Sequence, residues 1–443
     1  MNRRFLGVAA LGALLLAPGA RAQDPPAGLP SGLPAGVARL PEELEARVDA
    51  LMKEAETYRG LTAKVPVPSG TVDDPALRKK MIESFQADLP PATLRPIEAS
   101  LKAFGLVPES LDLVKFFPEL LTSQVAGYYD PEQHYLALVR RDGKTLALDL
   151  PDEAARKAEE AVLVHELTHA LQDQHFHLET FASGEPLDDA DVAKIALIEG
   201  DATLVMLDFF AGMSLARVPG FEEAMDGLLG DPRALLASTP GVPGAAELAS
   251  APAWFQDTLL FSYFEGFEFC LSARRAGGQA LLDHAFTQDP PRSSEQILHP
   301  EKWHTRRDDP IILPWPDLSR TLPGWSKVAE AQLGELTIRT LFRSALENDE
   351  RAGKAAAGWG GDRFAVYEKE GERLLLWITE WDADADAREF QAAAKDLGRD
   401  WEVRRTGLRV VVTRGKIGSL ARPVRNALWT ELAEVQGHSG LRP

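Results

Sequence analysis

Residues 165–169 read His-Glu-Leu-Thr-His. On a helix, residues four apart lie one turn apart on the same face. His165 and His169 can therefore reach one metal ion together, and Zn²⁺ takes imidazole nitrogens at about 2.0–2.1 Å. Glu166 follows the first histidine, where its carboxylate can reach a water on that ion and act as general base. The chemistry needs this arrangement. Zinc lowers the pKa of its water to about 7, and a nearby carboxylate takes the proton as the oxygen attacks a carbonyl.

Two histidines do not complete such a site. Glu199, in "ALIEGDAT", is a lone acid among apolar residues on the next helical stretch. Burying a carboxylate there is costly unless a cation pairs with it. Gly200 beside it would let another backbone come close. The rival third ligand is His175, at the last position of the pattern His-Glu-x-x-His-x-x-Gly-x-x-His. That pattern turns the chain at a glycine, and this chain has Gln172 there. If the helix continues, His175 stands about 600° around from His169 and faces away. Glu199 is accordingly the expected third ligand. Hydrolysis also needs a donor for the developing oxyanion. His299, in "SSEQILHPEKW", is the first candidate, ahead of Tyr128, Tyr129 and Tyr263.

Other signals do not survive inspection. Asp382, Asp384 and Asp386 mimic the start of a calcium loop, but Ala387 and Ala393 stand where that loop needs Gly and Glu. The cluster Gly358-Trp359-Gly360-Gly361 is not followed by Gly-Lys-Ser/Thr and reads as a turn. Cys270 is the single cysteine, in the aromatic stretch "FSYFEGFEFC", and reads as a buried structural thiol. No intrachain disulfide can form.

The chain resembles the gluzincin branch of the zincin metallopeptidases, in which a His-Glu-x-x-His helix is followed by a helix offering Glu. Its middle also resembles a group of uncharacterised exported bacterial zincin-like proteins. The matching segments are "VAGYYDPEQHYLAL", "HELTHALQDQHF", "ALIEGDAT", "PRSSEQILHPEKW" and "GWGGDRFAVYE". The resemblance implies His165, His169 and Glu199 as zinc ligands and Glu166 as base. It also implies that extended substrate pairs with an edge strand near Tyr128 and Tyr129. Better-known gluzincins place an Asp four residues after the ligand Glu to orient a histidine. Here that position is Thr203, while Asp201 lies two residues on.

The elements that must hold these residues can be read along the chain. Arg3 and Arg4, an apolar stretch from Phe5 to Leu16, and Ala20-Arg21-Ala22 have the layout of a secretory signal at 1–22. A Pro/Gly-rich leader follows at 23–40. Helical periodicity begins at Pro41, with further helices between Asp74 and Leu121. Turn residues at Asp130-Pro131 and Asp142-Gly143 split the next stretch into a β-meander. A long helix then carries the histidines. A second one, from about Asp188 to Phe210, carries Glu199. Residues 214–252 read as an insertion, followed by helices over about 253–287. From about Lys327 the pattern is a helix, strands around "RFAVYE" and "RLLLWITEW", a helix from Asp384, and strands "EVRRT" and "RVVVTR".

The expected fold is α+β. A mainly helical zincin-like metallopeptidase domain at 41–325 has a small antiparallel meander before the active-site helix. A C-terminal α+β domain at 326–443 follows. The formal charge of −19 and the lack of a Lys/Arg block exclude a nucleic-acid partner. No stretch reaches the roughly 18 apolar residues of a membrane span. The reading is an exported, periplasmic or secreted, zinc metallopeptidase acting on peptides or proteins. The alternatives are a zinc-stabilised, non-catalytic envelope or secreted binding protein and, behind it, a hydrolase of non-peptide amides. The sequence sets neither cleavage specificity nor oligomeric state.

Overall fold

The computed structural model describes residues 32–436, apart from 74, 78, 80–82, 84–89, 123–126, 142–143, 146–152, 183–186, 222–232, 234–244 and 417–420. The signal-like segment and the first half of the leader lie outside the described residues, as do the Asp142-Gly143 turn and most of 214–252.

The fold is α+β, with two five-stranded sheets among the described residues. Helix α1 spans Glu42–Arg59, with three acids in its first turn complementing the helix dipole. Gly60 ends it in the left-handed conformation that glycine adopts without steric cost. Strands β1 (Ala38–Arg39) and β2 (Ser69–Asp73) flank α1 in sequence. Helices α2 (Pro91–Phe104) and α3 (Leu113–Thr122) precede β3 (Gly127–Asp130), β4 (Tyr135–Arg141) and β5 (Lys144–Thr145). The expected antiparallel meander is β3–β4–β5. It is only part of a mixed sheet, however. The order is β1-β2-β4-β3, and β2 runs parallel to β4, with Val72 opposite Val139. The end of the Pro/Gly-rich leader supplies β1, with Ala38 opposite Thr71.

Helix α4 (Glu153–Phe176) is polar in its first two turns and buried all round from Ala161 to Asp173. Leu163, Val164, Leu167, Ala170 and Leu171 pack with Val48, Leu51 and Ala55 of α1 and with Leu136 and Leu138 of β4. Helix α5 (Asp189–Ala211) is capped by Asp188, whose side chain accepts from Ala190 N–H. Helix α6 spans Ala253–Thr287, with non-helical backbone at Gly277 and Gly278. Short α7 (Ser294–Leu298) follows, capped by Ser293.

Helices α5 and α6 cross at unusually close range. A Cβ on Gly200 would lie 2.1 Å from the Gly266 carbonyl, and one on Gly266 would lie 2.2 Å from Ala196 O. Gly200 thus does admit another backbone, that of α6. Cys270 of the same helix is buried with its Sγ 3.6 Å from Leu197 O.

The second sheet has the order β6-β7-β8-β10-β9. Its strands are β6 (Ser326–Ala331), β7 (Trp359–Lys369), β8 (Glu372–Trp381), β9 (Trp401–Thr406) and β10 (Arg409–Arg414). Every neighbouring pair is antiparallel. The stretch from Lys327 therefore opens with a strand, where the sequence suggested a helix. Helices α8 (Gly334–Leu346), α9 (Asp349–Ala356), α10 (Asp384–Lys395) and α11 (Ala421–Gln436) complete this part. The two-residue alternation of the strands buries both faces. Phe364, Val366, Leu375, Trp377, Val410 and Val412 face a core shared with α2 and α3. Ala365, Tyr367, Leu376, Ile378 and Val411 face Val424 and Leu428 of α11. Asp362 of β7 accepts from the N–H groups of Leu333 and Gly334 and from the indoles of Trp359 and Trp377, which fixes the start of α8.

Gly266→Ala is expected to force α5 and α6 apart, because the added methyl meets backbone rather than a movable side chain. Overpacking of this kind costs about 1–3 kcal/mol. A thermal midpoint equal to wild type would count against the close crossing.

Candidate metal centre

Helix α4 presents His165 and His169 toward α5, which carries Glu199. Their ligand atoms converge. His165 Nε2 is 3.1 Å from Glu199 Oε2 and 3.1 Å from His169 Nε2. His169 Nε2 is 3.3 Å from Glu199 Oε1. Two imidazole nitrogens this close, facing one carboxylate, suit a shared cation. Bonds of about 2.0–2.1 Å in a tetrahedron put ligand atoms about 3.3–3.4 Å apart, close to the spacings found here. The donor set of two nitrogens and one oxygen fits a borderline first-row divalent ion.

All three residues are buried, at 0%, 5% and 2% exposure for His165, His169 and Glu199. In the metal-free chain, burial alone would raise the Glu199 carboxyl. The facing His169 and His165 outweigh it and hold Glu199 at about 2. Burial would likewise depress His169, but Glu199, with help from Glu166 and Gln172, pushes it up to about 9. A proton on His169 thus supplies the positive charge that a metal would otherwise bring.

Glu166 is 1% exposed, and its Oε2 accepts from the Tyr129 backbone N–H at 3.0 Å. Burial raises its pKa, against the pull of His165 and His169. Tyr128 and Tyr129 split across β3, as strand alternation requires. The Tyr128 and Tyr135 hydroxyls are 2.6 Å apart. Tyr129 points the other way, and its hydroxyl donates to Asp173 Oδ2 at 2.8 Å, an oxygen shared with His134 Nδ1.

The remaining candidates divide. His299 is not brought to this cluster. Its Nε2 pairs with Glu335 Oε1 of α8 at 3.1 Å, and that carboxylate raises its pKa. His175 lies on the continuing helix and donates from Nε2 to Thr62 O at 2.9 Å. Tyr263, ranked behind His299 on sequence, is the aromatic residue that reaches the centre. It lies one turn before Gly266 on α6, and its ring stacks on His165 with centroids 6.0 Å apart. Its buried hydroxyl faces Glu199 and Glu166 yet completes no hydrogen bond of normal geometry. Burial and the two carboxylates push its pKa well up.

The surroundings of the two histidines differ. Thr203 occupies the position where the resemblance implies an orienting Asp, and its Oγ1 is buried without a partner, as is His165 Nδ1. His169 Nδ1, by contrast, donates to Gln172 Oε1 at 2.8 Å. Sequence reasoning treated Gln172 only as a missing glycine. The contact was legible in principle, because residues three apart on a helix share a face.

Among the described residues one further acidic trio has metal-like spacing: Glu295, Asp308 and Asp382. It already encloses a cation. Lys302 Nζ lies 2.6 Å from Glu295, 3.1 Å from Asp308 and 2.8 Å from Asp382.

A family model described as "Domain of unknown function (DUF8575)" matches residues 320–431. That stretch covers the second sheet, α8 to α10 and the first part of α11, and contains none of the residues of the His165–His169–Glu199 cluster. No curated protein and no solved structure matches the chain.

Because His169 is held near 9, an ion binding below that pH must displace its proton. The apparent affinity for a divalent ion such as Zn²⁺ should therefore climb about tenfold per pH unit between about 6 and 8. It should level off once His169 is neutral. Calorimetric titration across that range, with proton release counted from buffers of different ionisation enthalpy, checks this; a flat profile would contradict it.

Proposed function

We propose that the chain is an exported zinc-dependent hydrolase of the zincin type, cleaving peptide bonds. The observation that carries this reading is the spacing of His165, His169 and Glu199, with Glu166 and Tyr263 beside them. Zinc bound there would polarise a carbonyl and acidify a water. The residues of the chain supply the rest. Glu166 is held on one oxygen by Tyr129 N–H, which leaves the other to take the proton of the attacking water. Burial, which makes this carboxylate more basic, suits it to that transfer near neutral pH. Tyr263, whose buried hydroxyl faces Glu199 and Glu166 beside the ligands, replaces His299 as the donor to the developing oxyanion. No helix among the described residues is long and apolar enough to cross a membrane.

One observation favours a second reading. Glu166, both histidines, Glu199 and Tyr263 are each under a tenth exposed, so a substrate reaches them only after the elements around the centre part. A zinc-stabilised binding protein without turnover would keep such a centre closed.

Zinc content and peptidase assays of the full chain separate the two. Wild type is expected to hold one zinc and cleave a mixed peptide pool. Glu166→Gln is expected to keep the zinc and lose activity by several orders of magnitude. Tyr263→Phe is expected to keep the zinc and lose about 10²–10³ in kcat, the cost typical of one oxyanion donor. Zinc retained in all three proteins with turnover in none favours the closed binding protein.

A further inference from the structure

The first helix of the described chain, distant in sequence from the histidines, contributes a buried arginine to their surroundings. Arg59, in the last turn of α1, is fully buried. Its Nε donates to Asp201 Oδ2 at 2.6 Å, and its Nη1 to Asp283 Oδ1 of α6 at 2.8 Å. The guanidinium sits 5.5 Å from the Phe176 ring centroid and 5.7 Å from that of Phe286. Asp201 lies on α5, two residues past Glu199. Its Oδ2 accepts a second hydrogen bond, at 2.9 Å, from Gln172 Nε2. Gln172 Nε2 also donates to Ile198 O at 3.0 Å.

These contacts determine the direction of an amide. Both groups facing one end of the Gln172 side chain, the Asp201 carboxylate and the Ile198 carbonyl, are acceptors only. That end must be the NH₂, so Oε1 is the atom turned to His169 Nδ1, and Nδ1 must carry a proton. The nitrogen left to coordinate is Nε2, the one that faces His165 and Glu199. Arg59 makes the arrangement tenable, because a buried Asp201 without a cation would be costly to keep charged.

We propose that Arg59, Asp201 and Gln172 form a positioning relay that fixes the His169 ring with Nδ1 protonated and Nε2 aimed at the metal, making α1 a working part of the centre. The inference rests on the metal-centre reading. It answers which group orients a ligand histidine where the expected Asp has become Thr203. The orientation is applied to the second histidine, from its own helix, with the carboxylate one step further out.

The test is zinc affinity, measured on the full chain by competition with a chromophoric chelator, beside the thermal midpoint of the metal-free protein. Gln172→Met keeps the shape and leaves the Arg59–Asp201 pair intact but removes the acceptor for Nδ1–H, together with the donor to Asp201 and Ile198 O. It should weaken zinc binding about 10–100-fold, the usual cost of losing such a partner. The visible spectrum of the Co²⁺ form should shift, because the ring is no longer held. Gln172→Glu restores the acceptor and sets a carboxylate against Asp201. It should bind zinc within about threefold of wild type, on the premise that the acceptor is what matters, yet melt at a lower temperature. Weak binding by Gln172→Met beside tight binding by Gln172→Glu, despite the lower melting temperature of the latter, cannot follow from fold stability alone. Equal affinity in wild type and Gln172→Met overturns the relay while leaving the metal centre standing. A wild-type chain that takes up no zinc overturns the metal-centre reading, and the relay with it.

Discussion

A carboxylate is buried between two imidazoles, and much of the central helical packing answers to that. Glu199 would be expensive to place at 2% exposure without positive charge nearby. Its helix crosses α6 at a pair of glycines, and the same crossing sets the Tyr263 ring on His165. The opposite side of the centre is closed by α4 itself, whose middle turns are buried among α1, β3 and β4. The packing that brings the ligands together therefore also seals them from water. Sealing strengthens every charge interaction inside and makes opening a requirement for any turnover.

Much of this was legible in the sequence, for local reasons. The histidine helix and the Glu199 helix announce themselves through periodicity and spacing, and both occur where expected, over Glu153–Phe176 and Asp189–Ala211. The strands β7, β8, β9 and β10 read clearly because Val, Ile, Leu and aromatic residues alternate or cluster between turn residues. Strand β6 did not, because "SKVAEA" is made largely of helix formers and is extended through pairing with β7. The short strands β1 and β2 were hidden for a related reason. Two and five residues in a Pro/Gly-rich context carry little pattern; β1 depends on β2, and β2 in turn on β4, more than sixty residues further on.

The site divides along the same line. Its local parts, His165, Glu166 and His169, were visible as a motif, and Glu199 stood out as an acid in apolar company. Its non-local parts were not. Nothing near His299 reveals that Glu335, 36 residues away, will engage it. Nothing near Arg59 reveals a carboxylate 142 residues on. Tyr263 left a faint trace in the glycine one turn after it, opposite a glycine beside the ligand acid.

Lys302 among Glu295, Asp308 and Asp382 solves the same electrostatic problem as the histidine centre by other means. Three acids gathered by the fold need a counter-charge, and here it is tethered to the backbone. That joint links the segment after α7 to the rim of the second sheet, and it assembles as the chain folds, whatever the ionic content of its surroundings. The fold thus makes one of these two acid-bearing clusters self-sufficient, with its counter-charge built into the chain.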